Sequence, residues 1–317
     1  MKATQIFSYG GPDVLRVSDV DRPEPGPGEV LVSVHASSVN GHDSLIRSGA
    51  MKIMSGRRFP IGVGLDFAGE VAATGAGVDS VRIGEPVWGT VHPREKHAIA
   101  GAAEYVVVPA DRVGPAPTGL SAVDAAALVV PGVTALIALR EATHLRPGES
   151  VLVRGAAGGV GTAAVQLAHA FGGRVTALAR AQHAAALTDL GATQVLDYRE
   201  TSPEQIGPFD VIVDTVGTDL THYRRRLTPG GRMVTVGLSG PAIAAIAASI
   251  IHGPRRIRTF SANPHTAQLN DVTEQAASGT LRPVVNGVYP LDDIASGHRA
   301  FDQGGGLGRY VVKIMHS

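Results

Sequence analysis

The chain of 317 residues contains no cysteine, so disulfides and thiolate-bound zinc are excluded. It has no charge imbalance either. The 28 basic and 28 acidic residues cancel, and no long run carries one sign. This argues against nucleic acid or an anionic membrane as the main partner. The most apolar helix-like stretch, 242–251, is too short to cross a bilayer. The opening M-K-A-T-Q-I-F lacks the apolar stretch of a signal peptide and reads as a first strand. No internal repeat or low-complexity linker stands out. The expectation is a soluble cytoplasmic protein with neither nucleic acid nor membrane as partner.

Hydrophobic residues make up 44% of the chain, enough for a sizeable core, and the length suits two domains. The stretch that organises the rest is S-V-L-V-R-G-A-A-G-G-V-G at 150–161. Its β-branched run at 151–153 reads as a buried strand. It enters glycines and then a helix over 162–171 with apolar residues at helical spacing. Strand, glycine turn and helix form the unit that holds a pyrophosphate: a tight turn, close backbone approach and close helix packing each exclude a Cβ. The helix N-terminus then faces the anion. The pattern is Ala156-x-Gly158-x-x-Gly161, with Gly155 just before it, so the usual first glycine is displaced. A merely tight connection is the competing reading, and the strand–helix alternation that follows favours a dinucleotide.

Residues up to about Pro117 read as β-rich, with strands over 14–19, 29–36, 67–74, 86–88 and 103–108 separated by glycine and proline turns. This suggests a closed or rolled β domain. Near Ser121 the pattern changes. Ser121-x-x-Asp124 is a helix-start signature, and 134–143 reads as a second helix. After the glycine unit come a strand at 174–178, a helix at 182–190, strands at 194–196 and 211–213, a helix at 220–227 and a strand at 232–236. The stretch 257–261 offers a sixth strand. This alternation predicts a parallel sheet with helices on both faces. Residues 262–317 are mixed and end in a strand at 309–314. The expected division is 1–120 with 262–317 as one domain, and 121–261 as a nucleotide-binding domain inserted in it.

Several motifs then line up in order: P-G-P-G-E-V at 25–30, S-V-N-G-H-D at 38–43, G-L-D-F-A-G-E-V at 64–71, A-E-Y-V-V-V-P at 103–109, G-V-T-A at 132–135 and the glycine unit at 155–168. In these the chain resembles the medium-chain dehydrogenase/reductase superfamily, in its zinc-free quinone oxidoreductase branch. The resemblance covers almost the whole length. It implies an α/β fold: a GroES-like β-rich domain plus a Rossmann doubly wound parallel sheet domain, with the cofactor in the cleft between them. Zinc-dependent members place a cysteine where Asn40 stands and a His-Glu pair where Leu65-Asp66 stands. No metal site is expected. His92, Glu95 and His97 share one loop but lack metal-ligand spacing and read as exposed loop residues. Some enoyl-thioester reductases of the superfamily carry a tyrosine shortly after the asparagine motif, and here that place is near Met51.

The resemblance implies a nicotinamide cofactor. The stretch A-L-A-R-A-Q-H at 177–183 has no acid to take the ribose hydroxyls, and Arg180 suits a 2′-phosphate, with His183 nearby. NADPH is favoured over NADH, against a solvated arginine opening a helix. By resemblance Tyr198 flanks that phosphate, unless it is only a half-buried surface aromatic. Gly158, Gly159 and Val160 line the pyrophosphate, and Thr134, Val236 and Gly237 the nicotinamide. Arg309 reaches the cofactor from the tail. Asn40 bonds the ribose or a substrate oxygen, and Asp43 either orients the Asn40 loop or acts locally as a cap. Asn40 and Asp43 are the catalytic candidates; Arg47 is read as structural. With no metal, a quinone or an α,β-unsaturated carbonyl is the expected hydride acceptor. Two alternatives stand beside it: an enoyl reductase working on a thioester or polyketide-type intermediate, and an NADPH-binding sensor or structural protein with little turnover. A homodimer through the strand at 256–261 is expected, since an edge strand needs cover.

Overall fold

Runs such as E-V-L-V-S-V-H-A-S-S bury most of their side chains once extended, and such runs build the first part of the chain. The computed structural model describes residues 1–52, 58–91, 99–237, 240–251 and 256–316. The chain divides into two units: Met1–Val130 with Asn263–Ser278 and Pro283–Ser317, and Pro131–Ala262 with Gly279–Arg282.

The first unit opens with β1 (Lys2–Ile6) and β2 (Leu15–Asp19), then the long β3 (Glu29–Ser38) and a short helix α1 (Gly41–Arg47). Strands β4 (Ile61–Gly62), β5 (Asp66–Thr74), β6 (Pro86–Thr90), β7 (Tyr105–Pro109) and β8 (Val113–Pro115) follow. Strand β3 is the hub, pairing antiparallel with both β5 and β7. Inward side chains of these strands, among them Val30, Val32, Val34, Phe67, Val71 and Val87, form one apolar core.

Helix α2 (Ala122–Leu136) starts where Asp124 N donates to Ser121 Oγ at 3.1 Å. It continues without a break into a wider π-helical segment, Ile137–Ala142. The sequence pattern predicts two helices here. Pro131 lies inside the first and removes one helical hydrogen bond. The helix persists because Ala125–Val129, Val133 and Ala135–Leu139 are buried almost completely. The run Ala122–Ala142 is therefore long and apolar enough to cross a membrane by composition, yet 78% of that window is buried inside the protein.

The second unit is a parallel sheet of β9 (Ser150–Arg154), β10 (Arg174–Ala179), β11 (Gln194–Asp197), β12 (Phe209–Asp214), β13 (Leu227–Thr235) and β14 (Ile257–Arg258). Its spatial order is β11-β10-β9-β12-β13-β14. Helices α3 (Gly159–Ala170), α4 (Ala184–Asp189), α5 (Leu220–Arg224) and α6 (Gly240–Ile251) alternate with the strands. Val151–Val153 and Val211–Val213 are fully buried, as expected for strands covered on both faces. The chain order reverses between β9 and β12. That is the topological switch point, where such sheets take their ligands at the carboxyl ends of the strands. Three predicted elements are shorter than expected. The helix at 182–190 becomes a 3₁₀ turn plus α4, that at 220–227 ends at Arg224, and the sixth strand keeps only two residues.

The returning chain forms α7 (Thr266–Ala277), β15 (Val285–Pro290), α8 (Ile294–Gln303) and β16 (Arg309–Lys313). Strand β16 lies parallel to β15 and antiparallel to β3, so the tail completes the larger sheet of the first unit.

Candidate active site

The glycine turn after β9 shows three different demands for a missing side chain. Gly155 has φ +68°, and a Cβ there would stand 2.3 Å from Thr215 Oγ1. At Gly161 a Cβ would meet Gly155 O at 2.1 Å and Ala156 Cα at 2.6 Å, so this glycine lets the helix press on the turn. Gly158 is unlike both. Its φ of −73° and ψ of 168° suit any residue. Among the described residues a Cβ would meet only Gly155 O, at an ordinary 3.5 Å. The protein's own described atoms do not require glycine there; a group lying against the turn would. Gly159 and Val160 open α3, whose first-turn N–H groups have no intrahelical acceptor, and Gly158 offers no side-chain cap. The positive end of a 12-residue helix therefore faces that space.

Strand β10 ends at Ala179 without an acid. Arg180 follows, half-buried, and its Nε donates to Tyr198 Oη at 3.1 Å. Tyr198 is 48% exposed. The structure thus brings these two predicted residues together. His183 ends the single turn that begins just after Arg180, and its N–H donates to Arg180 O. Asp197, at the end of β11, accepts from Ala181 N at 2.9 Å and from Arg199 Nε and Nη2 at 3.2 and 2.9 Å. The Arg199 hydrogen bonds hold its carboxyl well below the usual carboxylate range. That acid is neutralised locally, whereas among the described residues Arg180 pairs with a phenol.

Val236 and Gly237 follow β13. Val236 N donates to Asp214 O at 3.0 Å. A Cβ at Gly237 would stand 2.6 Å from Gly217 N, so the two backbones touch. Thr134 lies in α2 with 4% exposure.

In the first unit Asn40, Asp43 and Arg309 gather in one buried cluster. Asn40 precedes α1 in an extended conformation, and its N–H donates to Asp43 Oδ2 at 3.0 Å. Gly64 N donates to Asp43 Oδ1 at 3.3 Å. Asp43 thus accepts from the residue that caps α1 and ties the Asn40 loop to Gly64. The Asn40 amide donates to Ser38 O at 2.9 Å and Asp66 Oδ2 at 3.2 Å, and its Oδ1 accepts from Arg309 Nη2. Asp66 also accepts from Ser38 N and Ser38 Oγ, each at 2.6 Å, and its Oδ2 lies 3.7 Å from Arg309 Nη2. Arg309 Nη2 donates to Ser38 Oγ, while Arg309 Nε is buried with no partner among the described residues. Burial, reinforced by the neighbouring Asp66 charge, pushes Asp43 up to about 7. Burial also raises Asp66 against the pull of Arg309. Arg47 is buried and serves structure, pairing with Asp302 at 2.6 Å and donating to Gly10 O.

Sequence reasoning missed Ser38 and the role of Asp66 here, and the Arg154–Asp214 pair in the second unit. The available signal was a charge ending an apolar strand, as in S-V-L-V-R and F-D-V-I-V-D. Among the described residues, no three His, Cys, Asp or Glu side chains group as metal ligands. His92, Glu95 and His97 lie outside the described residues.

Two family models match the chain: an alcohol dehydrogenase GroES-like domain over residues 26–118, and a zinc-binding dehydrogenase over residues 190–312. A quinone oxidoreductase of Sus scrofa is 34% identical over 312 residues, covering 94% of this chain and 93% of the relative. The chain belongs to the quinone oxidoreductase branch of the medium-chain dehydrogenase/reductase superfamily. Among solved members, the quinone oxidoreductase of Coxiella burnetii superposes with a TM-score of 0.90 at 31% identity, covering 99% of both chains. The Escherichia coli quinone oxidoreductase, solved in complex with NADPH, gives 0.85 at 25% identity over 99% of this chain and 100% of that one. The oxidoreductase family fold is accordingly α/β, with a GroES-like domain and a Rossmann-like parallel sheet.

Proposed function

We propose that this family member is an NADPH-dependent oxidoreductase that reduces a quinone or an α,β-unsaturated carbonyl without zinc. The observation that carries the reading is Gly158: the turn leaves room for a Cβ that the described protein atoms would tolerate, in front of an uncapped helix start. The residues fit the cofactor. Gly158, Gly159 and Val160 would hold its pyrophosphate. Arg180 with Tyr198 and His183 would take the 2′-phosphate, where no acid at the end of β10 competes. Val236, Gly237 and Thr134 would line the nicotinamide. NADPH, when bound, supplies a hydride to the acceptor.

The first unit supplies the polar chemistry. Asn40, held in place by Asp43, has both amide hydrogens taken by Ser38 O and Asp66 Oδ2, so what it would offer a ribose hydroxyl is the second lone pair of the Oδ1 that Arg309 holds. Arg309 holds Asn40 Oδ1 and Ser38 Oγ and is itself balanced by Asp66. One proton from water completes the hydroquinone or saturated carbonyl. Zinc independence is supported by the complete lack of cysteine and by Asp66, whose two oxygens are already taken by Ser38 and Asn40. A homodimer joined along the edge strand β14 belongs to the proposal, and a monomer mass in light scattering would remove it.

The test compares Gly158→Ala with Gly161→Ala. Gly158→Ala should cost under about 1 kcal/mol of stability, as a weakened N-cap, yet weaken NADPH binding at least about tenfold. Gly161→Ala should destabilise by about 1–3 kcal/mol through overpacking. Unchanged NADPH affinity in Gly158→Ala would sink the cofactor assignment. With NADPH, a p-quinone and an alkyl enone should turn over faster than a plain ketone; the reverse order would sink the acceptor assignment.

A further inference from the structure

Three side chains end the three central strands of the second unit at the same level: Arg154 on β9, Asp214 on β12 and Thr235 on β13. Register places Asp214 opposite Arg154 on one side and opposite Thr235 on the other. All three are buried, Asp214 and Thr235 completely. Arg154 Nη1 donates to Asp214 Oδ1 and, at 2.7 Å, to Thr218 O. Its guanidinium carbon lies 3.7 Å from the Tyr223 ring centroid, a cation–π stack. Asp214 Oδ2 accepts from Gly217 N at 2.8 Å and Thr235 Oγ1 at 2.7 Å. Thr235 Oγ1 accepts in turn from Gly237 N at 3.2 Å.

Three bonds of this network end on backbone at the carboxyl edge of the sheet, at Thr218 O, Gly217 N and Gly237 N. Arg154 directly precedes the glycine turn, and Thr215, next to Asp214, donates through Oγ1 to Arg154 O at 2.8 Å. Gly217 and Gly237, whose amides the network holds, are the two segments in backbone contact beside Val236. The pair bridges β9 and β12, the strands that flank the switch point. A charge pair costs desolvation that apolar side chains would avoid, so its placement at this edge asks for a reason beyond packing.

We propose that Arg154 and Asp214, with Thr235, are positioning residues for the nicotinamide half of the dinucleotide. The network locks the Gly217–Gly237 contact and the exit of the glycine turn in one arrangement, so the wall against which the nicotinamide lies is set before binding. This inference rests on the reading that a dinucleotide occupies this edge of the sheet. It predicts that the network matters to the nicotinamide half and not to the adenosine half, which Arg180 and Tyr198 would serve just after β10 and β11.

The experiment measures dissociation constants for NADPH and for 2′,5′-ADP, below the unfolding midpoint, in the wild-type protein, Thr235→Val and Arg154→Lys. Thr235→Val keeps shape and removes the hydroxyl; Arg154→Lys keeps charge and removes the fork. Each should weaken NADPH about tenfold, the effect of one lost buried hydrogen bond, and change 2′,5′-ADP less than twofold. Equal weakening of both ligands, or no weakening of either, would overturn the positioning role. Wild-type protein that binds neither ligand would instead overturn the cofactor reading beneath it.

Discussion

Each unit buries an arginine against an aspartate, and the two sites differ in how their charges balance. In the second unit Arg154 meets one carboxylate, and Asp214 is completed by neutral donors, Gly217 N and Thr235 Oγ1. In the first unit Arg309 meets Asp66 while Asp43 lies close enough to add its own field. One cation cannot neutralise two buried carboxylates. The surplus shows in Asp43, whose proton is held up to about pH 7, chiefly by desolvation and then by Asp66. A balanced pair fixes backbone; an unbalanced one stores a proton next to Asn40.

Removing the arginine is the strongest way to break the contrast. Arg309→Met leaves two buried carboxylates facing each other and should cost about 3–5 kcal/mol. The loss should deepen as pH rises, because both acids must then ionise without a cation. Arg154→Met leaves one carboxylate with two donors, so its loss should vary less with pH. Urea denaturation of both variants at pH 5.5 and 8, values chosen to bracket about 7, measures this. Equal pH dependence in the two would erase the distinction.

Asp43 itself gives the next largest effect. Its folded pKa, about 7, stands above the unfolded value of 3.8, so between those values the folded state binds more protons. Stability from this group is full below about pH 4 and falls as pH rises towards 7, by up to about 1.4 kcal/mol per pH unit. Asp43→Asn keeps an acceptor for Asn40 N and has no proton to lose. Its stability curve should therefore be flatter than the wild type's across pH 4–7. Parallel curves would show that Asp43 is ionised throughout, and the first cluster would then carry two carboxylate charges against one guanidinium.

These clusters also mark where sequence reading stops. The strand–glycine–helix unit and the alternation behind it are legible because each is local: β-branched run, missing Cβ, helical spacing. Arg180 is read from the same logic of strand ends, whereas Tyr198 comes only from the family resemblance. Arg154 and Asp214 lie 60 residues apart, and Arg309 lies 269 residues from Asn40. Only strand register brings them level, and register is a property of the assembled sheet. The short amphipathic elements after residue 262 were illegible for a related reason. Helices α7 and α8 bury few residues each and take their stability from the sheet they cover. The two helices expected over 121–143 are one continuous run, because burial of the neighbours of Pro131 outweighs one lost hydrogen bond.

The smallest effect compares hydroxyls. Ser38 and Thr235 each donate one hydrogen bond to a buried aspartate, at 2.6 and 2.7 Å. Ser38 Oγ also accepts from Arg309 Nη2, whereas Thr235 Oγ1 accepts from a backbone amide. Ser38→Ala should cost about 1–2 kcal/mol, somewhat more than Thr235→Val, because it strips a partner from a charged donor. The Ser38 bond favours ionised Asp66, so its removal should push Asp66 further up. Protonation then relieves the variant, and its deficit against wild type should narrow as pH falls. Thermal or urea unfolding of both variants from pH 5 to pH 8, a range chosen around neutrality, reads this out. A deficit that stays constant with pH in Ser38→Ala would mean that Asp66 is held ionised by Arg309 alone, and the two arginine–aspartate sites would be alike after all.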